Sequence, residues 1–219
     1  MARLSHSGST SPLRRKLFPV GFAGEVMVHI VDTWRDFSLH HRVRKEPRIT
    51  ALFREALIRA YEAAGRRWFI ALEDPITDPT YGTELGRNDL RFYPPNHGGQ
   101  TIFFTVECKR LRVATKTRIS HLADKYADEG IKRFVDGRYS GGLPCGGMVG
   151  YVMDNEVSEA FTSVQSAIKA HRTALRVSSG KHFLTPSKVL PDYLWSADTF
   201  HQRRDGQFAV HHALLGVAK

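Results

Sequence analysis

The chain of 219 residues contains only two cysteines, Cys108 and Cys145, and no apolar run long enough to cross a membrane. Two cysteines make neither a metal-binding spacing nor a disulfide framework, so a cross-linked secreted domain is excluded and a reducing compartment is expected. A membrane span needs roughly 18 to 20 consecutive apolar residues, and the N-terminus lacks the apolar run of a signal peptide. We therefore expect a cytoplasmic protein with no membrane partner.

Several catalytic motifs are also missing from the sequence. It has no zinc spacing, no P-loop that would cradle nucleotide phosphates, and no Gly-x-Ser-x-Gly elbow that would present a nucleophilic serine. It contains no internal repeat and no low-complexity segment. These absences remove serine-based hydrolysis from consideration, and a reaction that needs ATP would have to take it from another subunit.

What the chain has in excess is positive charge. It carries 32 lysines and arginines against 22 aspartates and glutamates, a formal net charge of +10. Such a charge favours a polyanionic partner, either nucleic acid or an anionic surface. Residues 1–16 are rich in Ser, Gly and Arg without apolar periodicity, which predicts a mobile basic arm or a partly ordered lead-in. With 42% hydrophobic residues, the remaining 17–219 can bury one sizeable core, so we expect a single domain there.

Hydrophobic periodicity predicts an ordered series of helices and strands. The elements are a helix at 50–65, strands at 67–72, 88–93 and 101–110, a helix at 120–137 and a strand at 146–153. Residues 17–31 are mixed and predict a short helix or strand. The C-terminal part, 154–219, is expected to contribute one more helix followed by short strands.

The predicted strand at 101–110 ends in two opposite charges. Side chains alternate between the two faces of a strand, so Glu107 and Lys109 project from the same side. If this strand forms a hairpin with the one before it, Asp89 at the start of the first strand lies near Glu107 at the end of the second. Two carboxylates and an ammonium are then expected to meet.

Two carboxylates placed close together repel each other unless a cation lies between them. Hard oxygen ligands suit Mg²⁺ or Mn²⁺, and the backbone carbonyl of Cys108 is in position to be a third ligand. Such an ion would polarise a phosphodiester while Lys109 orients or activates the attacking water. The alternative at this point is structural, with Glu107 and Lys109 serving as edge-strand charges paired with their neighbours.

Asp89, then seventeen residues, then Glu107-Cys108-Lys109 on a hydrophobic strand resembles the PD-(D/E)xK nuclease superfamily. Its restriction-endonuclease-like core runs helix, three strands, helix, strand, the order predicted here over 49–153. The resemblance implies an α/β fold with a central mixed sheet flanked by helices (αβββαβ). It also implies a Mg²⁺- or Mn²⁺-dependent endonuclease that hydrolyses DNA in restriction or anti-phage defence. Asp89 and Glu107 would bind the metal, and Lys109 would be the catalytic lysine.

The sequence departs from the family pattern in two ways. The residue before Asp89 is Asn88 rather than proline, and no acidic residue is obvious on the first helix, because Glu55 lies nearly opposite its apolar stripe. Glu55 is therefore kept only as a possible auxiliary residue. The segment 125–139 is similar to stretches in prokaryotic restriction and phage-defence nucleases of this superfamily.

The tail at 199–203 also resembles such proteins, which implies that His201 or Arg203 approaches the scissile phosphate. A surface or packing role is the alternative for both residues. Four basic residues follow the strand and would hold the flanking phosphates, unless they only form a solvated connection. They are Arg110, Arg112, Lys116 and Arg118.

Many small members of this superfamily are subunits or dimers, so the resemblance implies a homodimer or a partner subunit that supplies target recognition. No base-reading motif is visible, so the sequence does not decide between DNA and RNA. The alternative function is a catalytically inactive subunit that binds nucleic acid or docks within a larger defence complex.

Overall fold

The computed structural model shows an α/β protein with a central mixed sheet of six strands flanked by helices. It describes residues 11–37, 39, 43–65, 68–77, 84–95, 101–115, 117–178 and 183–218, without the side chains of 11–12, 73–77 and 84–88. The first ten residues of the predicted arm and Lys116 lie outside this description. No helix among the described residues is long and apolar enough to span a bilayer.

Three helices and three strands form the first half of the chain. They are α1 (Ser11–Leu17), α2 (Phe22–Asp36), α3 (Glu46–Ala63), β1 (Phe69–Thr77), β2 (Glu84–Tyr93) and β3 (Phe104–Leu111). A separate two-residue hairpin follows, made of β4 (Val113–Ala114) and β5 (Ile119–Ser120).

The second half begins with one helix over residues 123–135 whose middle is π-helical. Its three parts are α4 (Ala123–Lys125), the π-helical segment Tyr126–Ile131 and α5 (Lys132–Val135). We call the whole element the π-bulged helix. The remaining elements are β6 (Cys145–Val152), α6 (Val157–Ala170), β7 (Ser196–Arg203) and β8 (Gly206–Gly216).

The strands follow one another across the sheet in the order β1-β2-β3-β6-β8-β7. Strand β6 pairs in parallel with both β3 and β8, and the other neighbours are antiparallel. All eight residues of β6 are buried, because helices cover both faces of the sheet there. One apolar cluster lies under α2 and α3, and a second lies under the π-bulged helix and α6.

The predicted series of helix, three strands, helix and strand is confirmed in α3, β1 to β3, the π-bulged helix and β6. Of the two alternatives for the basic N-terminal segment, the ordered lead-in is the one observed over residues 11–16, which form α1. There Arg14 and Arg15 donate to backbone carbonyls of β8 and of neighbouring loops. The prediction that the C-terminal strands are all short is wrong. The predicted short C-terminal strands include β8, which has 11 residues and lies inside the sheet between β6 and β7.

The largest unforeseen element is α2, which fills 15 residues where the sequence indicated only a short mixed element. Its buried face includes Val26, Met27 and Ile30, which are completely covered by the sheet and by α3. These residues recur at helical spacing, but Gly24 and the short apolar stretches around it make the helical periodicity hard to recognise in the sequence. The helix matters to the site because it supports the face of the sheet opposite to the charged groups.

Replacing Gly146 of β6 with alanine should destabilise the protein. A Cβ at this position would lie 2.5 Å from Cε1 of Phe134, whose ring is held against Phe208 and Tyr139. Overpacking a fixed core costs about 1–3 kcal/mol, which urea unfolding would measure.

Gly24→Ala is the matched control. Its Cβ would make only ordinary contacts, the nearest at 3.8 Å to Val189, within α2. Alanine is preferred to glycine in a helix by about 0.5–1 kcal/mol, so this variant should be as stable as the native protein or more so. Equal stability of the two variants would contradict the packing described at Gly146.

Candidate functional site

Glu107 and Lys109 lie on the same side of β3, and their side chains form an ion pair. Lys109 Nζ donates to Glu107 Oε1 at 2.7 Å. Glu107 has 0% of its surface exposed, and a buried charge is stable only when it is paired. The alternation of side chains along β3 therefore places a buried carboxylate directly beside an ammonium group.

Asp89 joins these two groups where β2 and β3 separate. The ladder between the strands extends from the Phe92 and Phe104 pair to the Leu90 and Val106 pair. Beyond that point, Asp89 Oδ2 accepts a hydrogen bond from the backbone N–H of Cys108 at 2.7 Å. A side-chain carboxylate thus takes the place that a strand carbonyl would occupy, and the three predicted residues meet.

A third carboxylate, missed by the sequence analysis, comes from the first turn of α3. Glu46 Oε1 accepts from Lys109 Nζ at 3.2 Å, and Glu46 Oε2 accepts from the backbone N–H of Arg110 at 2.7 Å. Helix α3 begins at Glu46 rather than at the predicted position 50. Proline is favoured at the first helical positions, so Pro47 was the signal that could have located this start.

Glu55, retained as a possible auxiliary residue, is not part of the site. Its side chain is 54% exposed and pairs at 2.7 Å with the adjacent Arg54. The prediction that Glu55 points away from the apolar stripe is confirmed by this exposure. The acidic residue that α3 does contribute is Glu46, about two and a half helical turns earlier and so on the opposite side of the helix.

A second cation also reaches Glu107, from the π-bulged helix. Arg133 Nη1 donates to Glu107 Oε1 at 2.9 Å and to the hydroxyl of Tyr139 at 2.7 Å. No spacing rule pointed to this residue, because the π-helical segment changes the direction in which Arg133 projects. The carboxylate of Glu107 is therefore held by two cations from different elements.

Burial and neighbouring charges shift the pKa values of Asp89 and Glu107. Burial, with the neighbouring charge of Glu107, raises the pKa of Asp89 to about 8. Burial also raises the pKa of Glu107, although Lys109 and Arg133 oppose the change. Burial acts to lower the pKa of Lys109, but the surrounding carboxylates outweigh it and raise that pKa. Lys109 is therefore a stable cation at neutral pH.

The oxygen atoms of this cluster match the preferences of a hard divalent cation. Glu107 Oε2 is buried without a hydrogen-bond partner among the described residues. Mg²⁺ commonly uses one or two carboxylates and keeps several waters, so Asp89, Glu107 and the carbonyl of Cys108 fit it in donor chemistry. Within the described ranges, no three His, Cys, Asp or Glu side chains are grouped as a complete metal site. Any ion here would need waters or a substrate oxygen as further ligands.

An open cleft of about 460 Å³ adjoins Lys109 and Glu46. Its other lining residues come from the start of α3, the end of β3 and the π-bulged helix. They are Lys45, Pro47, Arg110, Leu122, Lys125 and Glu129. Cations outnumber anions in this lining, so the cleft favours an anionic ligand.

Lys116 lies outside the described residues, and the other three basic residues predicted to hold phosphates have different environments. Arg110 lines the cleft, and its Nη1 donates to the carbonyl of Arg44 at 2.6 Å. Arg118 is exposed beside the small hairpin. Arg112 is buried and paired with Asp154 and Glu159, so the prediction that it contacts phosphates is wrong. It stabilises the connection between β3 and α6 instead.

His201 and Arg203 do not approach the carboxylates either. Both lie on β7, three strands away from β3. His201 is fully buried and donates from Nδ1 to the carbonyl of Leu175 at 2.7 Å, and burial lowers its pKa to about 4. Arg203 pairs with Asp205 at 2.6 Å. The packing role that the sequence left open is the one observed for both residues.

The chain matches no protein-family model, and no curated protein or solved structure is similar to it at a significant level. The geometry of the site is therefore the indication of function that the molecule offers. That geometry consists of a buried carboxylate with two cations, two further carboxylates beside it, and an adjoining cationic cleft.

In metal-free solution, Asp89→Asn should be more stable than the native protein at pH 8.5. The pKa of Asp89 is about 8 in the folded protein and near 4 in the unfolded chain. The protonated carboxyl therefore contributes fully to the stability of the fold below about pH 4, and this contribution is lost as the pH rises from about 4 to about 8. Asparagine keeps an acceptor for the Cys108 N–H without the charge. We expect the free energy of unfolding of Asp89→Asn to exceed that of the native protein by about 1 kcal/mol or more at pH 8.5, since one pKa unit corresponds to about 1.4 kcal/mol.

The measurement is urea unfolding with a chelator present, at pH 5 and at pH 8.5, and the gain should be smaller at pH 5. Asp32→Asn is the control, because it removes the same charge from an exposed position on α2. An Asp89→Asn variant that gains no more than the control at pH 8.5 would contradict the burial of a carboxyl group at this position.

Proposed function

We propose that the protein is a Mg²⁺- or Mn²⁺-dependent endonuclease of the PD-(D/E)xK, restriction-endonuclease-like class, which hydrolyses DNA in restriction or anti-phage defence. The observation that carries the proposal is the meeting of Asp89, Glu107 and Lys109 beside a cationic cleft. The element order from α3 to β6 supports the same class.

Each charged group of the cluster has a role in this proposal. Asp89, Glu107 and the carbonyl of Cys108 would hold the divalent ion, which when bound would polarise the scissile phosphodiester. Lys109 stays protonated, so it would orient the attacking water and offset negative charge on the phosphoryl oxygens, rather than remove a proton. Glu46 would fix the ammonium of Lys109, because it accepts a hydrogen bond from Nζ.

The cleft would bind the sugar-phosphate backbone beside the cleaved bond. Lys45 and Lys125 are exposed and line the cleft, as does Arg110 near the end of β3. Phosphate contacts of this kind give affinity without reading sequence. Target recognition would then come from a second copy or a partner subunit.

A second candidate function is that of a catalytically inactive subunit that binds nucleic acid or docks in a defence complex. The observation in its favour is that Asp89, Glu107 and Glu46 already hydrogen-bond to the chain's own N–H groups and cations. Carboxylates that already accept hydrogen bonds from the chain itself bind a metal ion less strongly than free carboxylates would. The experiment below separates the two functions.

Plasmid cleavage with Mg²⁺ or Mn²⁺ tests the enzyme directly. Glu107→Ala and Lys109→Ala should each lower the cleavage rate at least about 100-fold, because they remove a metal ligand and the charge beside the phosphate. Both variants should still bind DNA. Glu46→Ala should also be impaired, whereas Glu55→Ala, on the exposed side of the same helix, should cleave at the native rate.

The assay should include single-stranded DNA and RNA as substrates, with a chelator as the blank. A purified protein that binds DNA but cleaves none of these substrates with either metal, alone or with a partner subunit, would favour the inactive binding subunit. Cleavage that persists at the native rate in Glu107→Ala would remove the proposed site from the reaction.

The salt dependence of DNA binding tests the cleft separately from catalysis. Lys45→Ala and Lys125→Ala should each weaken binding and reduce the slope of log K against log salt by about 0.9, the value for one lost phosphate contact on duplex DNA. Fluorescence anisotropy with a labelled duplex in chelator measures this slope. Lys188→Ala, an exposed lysine beside β7 at the far edge of the sheet, should leave it unchanged. Identical slopes in all three variants would exclude the cleft as the binding surface.

A further inference from the structure

The π-bulged helix changes its hydrogen-bonding pattern next to the charged cluster. Its π-helical segment, Tyr126–Ile131, carries more residues per turn than an α-helix. One extra residue rotates every later side chain by about 100° around the helix axis, since an α-helix turns once in 3.6 residues. The direction of Arg133 is therefore set by the π-helical segment.

Gly130 lets this segment lie directly against the sheet. A Cβ at Gly130 would be 2.5 Å from Cε of Met148 on β6 and 3.7 Å from Cγ of Lys109 on β3. At Gly130 the helix backbone therefore lies closer to β6 and β3 than it would if position 130 carried a side chain. Arg133 follows three residues later, about one turn on, which brings its guanidinium over Glu107.

The two oxygens of Glu107 are in different environments. Oε1 accepts from Lys109 Nζ at 2.7 Å and from Arg133 Nη1 at 2.9 Å. Oε2 is buried and accepts no hydrogen bond within the part of the chain that the structure describes. The carboxylate is thus oriented by its cations through one oxygen, and the other is left for a ligand that the chain does not supply.

Arg133 is itself held in place by Tyr139. The same Nη1 donates to the Tyr139 hydroxyl at 2.7 Å, and the tyrosine ring packs edge-on against Phe134 in the second apolar cluster. A guanidinium group is planar and always charged, so it keeps one geometry better than an ammonium group does. Lys109, in contrast, divides its hydrogen bonds among Glu107, Glu46 and the carbonyl of Cys108.

We propose that Arg133 is a positioning residue, which holds Oε1 of Glu107 so that Oε2 is presented to the divalent ion. This inference rests on the proposed function, because the ion belongs to it. Arg133 reaches the reaction only through Glu107. Lys109 also donates to Glu46 and to the Cys108 carbonyl, so Arg133 is the second cation that keeps the Glu107 carboxylate in place.

Mn²⁺ binding to the protein without DNA, measured by calorimetry, tests this role apart from catalysis. Arg133→Ala should weaken Mn²⁺ binding about 10- to 100-fold, the usual effect of removing a residue that orients a metal ligand. Arg133→Lys should recover part of the affinity, because it keeps the charge but cannot contact Glu107 and Tyr139 in the same way. Tyr139→Phe should cause a smaller loss in the same direction.

Lys132→Ala is the matched control on the same helix. Its ammonium pairs with Asp136 at 2.7 Å and does not contact Glu107, so Mn²⁺ affinity should equal that of the native protein. Cleavage rates at saturating Mn²⁺ are measured in parallel. Arg133→Ala should then recover much of its lost rate, as expected of a residue that acts on metal binding, whereas a residue in the reaction itself would leave kcat low.

Two results would overturn the inference, and they differ in what else they affect. Native protein that binds Mn²⁺ and cleaves DNA, with unchanged Mn²⁺ affinity in Arg133→Ala and Tyr139→Phe, leaves the proposed function intact and removes the positioning role. Native protein that neither binds Mn²⁺ nor cleaves DNA removes both. If Arg133→Ala fails to fold, Arg133→Lys and Tyr139→Phe decide the question against the same control.

Discussion

The ion pairs of Glu107 are the constraint on which the rest of the structure depends. A carboxylate with no exposed surface is stable as an anion only if cations reach it, and here they come from two elements. Lys109 is supplied by β3 itself. Arg133 requires the π-bulged helix to lie close against β3 and β6, and a glycine at position 130 leaves room there for the end of the Met148 side chain. The fold around the sheet is arranged so that one buried charge is paired.

The same end of β3 collects further polar groups because the sheet opens there. The β2 and β3 strands stop pairing after Leu90 and Val106, and the N–H of Cys108 finds the Asp89 carboxylate instead of a strand carbonyl. The N–H of Arg110 likewise finds Glu46 at the start of α3. Free backbone donors at a strand end thus attract carboxylates, and burial together with the neighbouring carboxylates raises the pKa values of Asp89 and Glu107. A cluster that repels itself in this way favours a bound cation.

Other charges that looked similar in sequence stabilise the fold. Arg112 follows closely after Arg110, yet it is buried between Asp154 and Glu159 while Arg110 lines the cleft. His201 and Arg203 are buried on β7, where His201 hydrogen-bonds to the Leu175 carbonyl and Arg203 pairs with Asp205. Their neighbours along the chain gave no sign of this, because burial depends on which elements pack against a strand. The basic residues of the chain therefore include some that stabilise the fold and others that line the cleft.

What the sequence by itself determined is whatever follows from local periodicity. The alternation of side chains places Glu107 and Lys109 together, the hairpin brings Asp89 to them, and the apolar patterns locate α3, β1 to β3 and β6 in order. What only the tertiary structure decided is which distant groups complete the cluster. Glu46 lies 64 residues from Arg110, and Arg133 lies 26 residues from Glu107. No short-range pattern encodes such contacts, because they depend on how the helices pack on the sheet and on a π-helical turn that local periodicity does not predict.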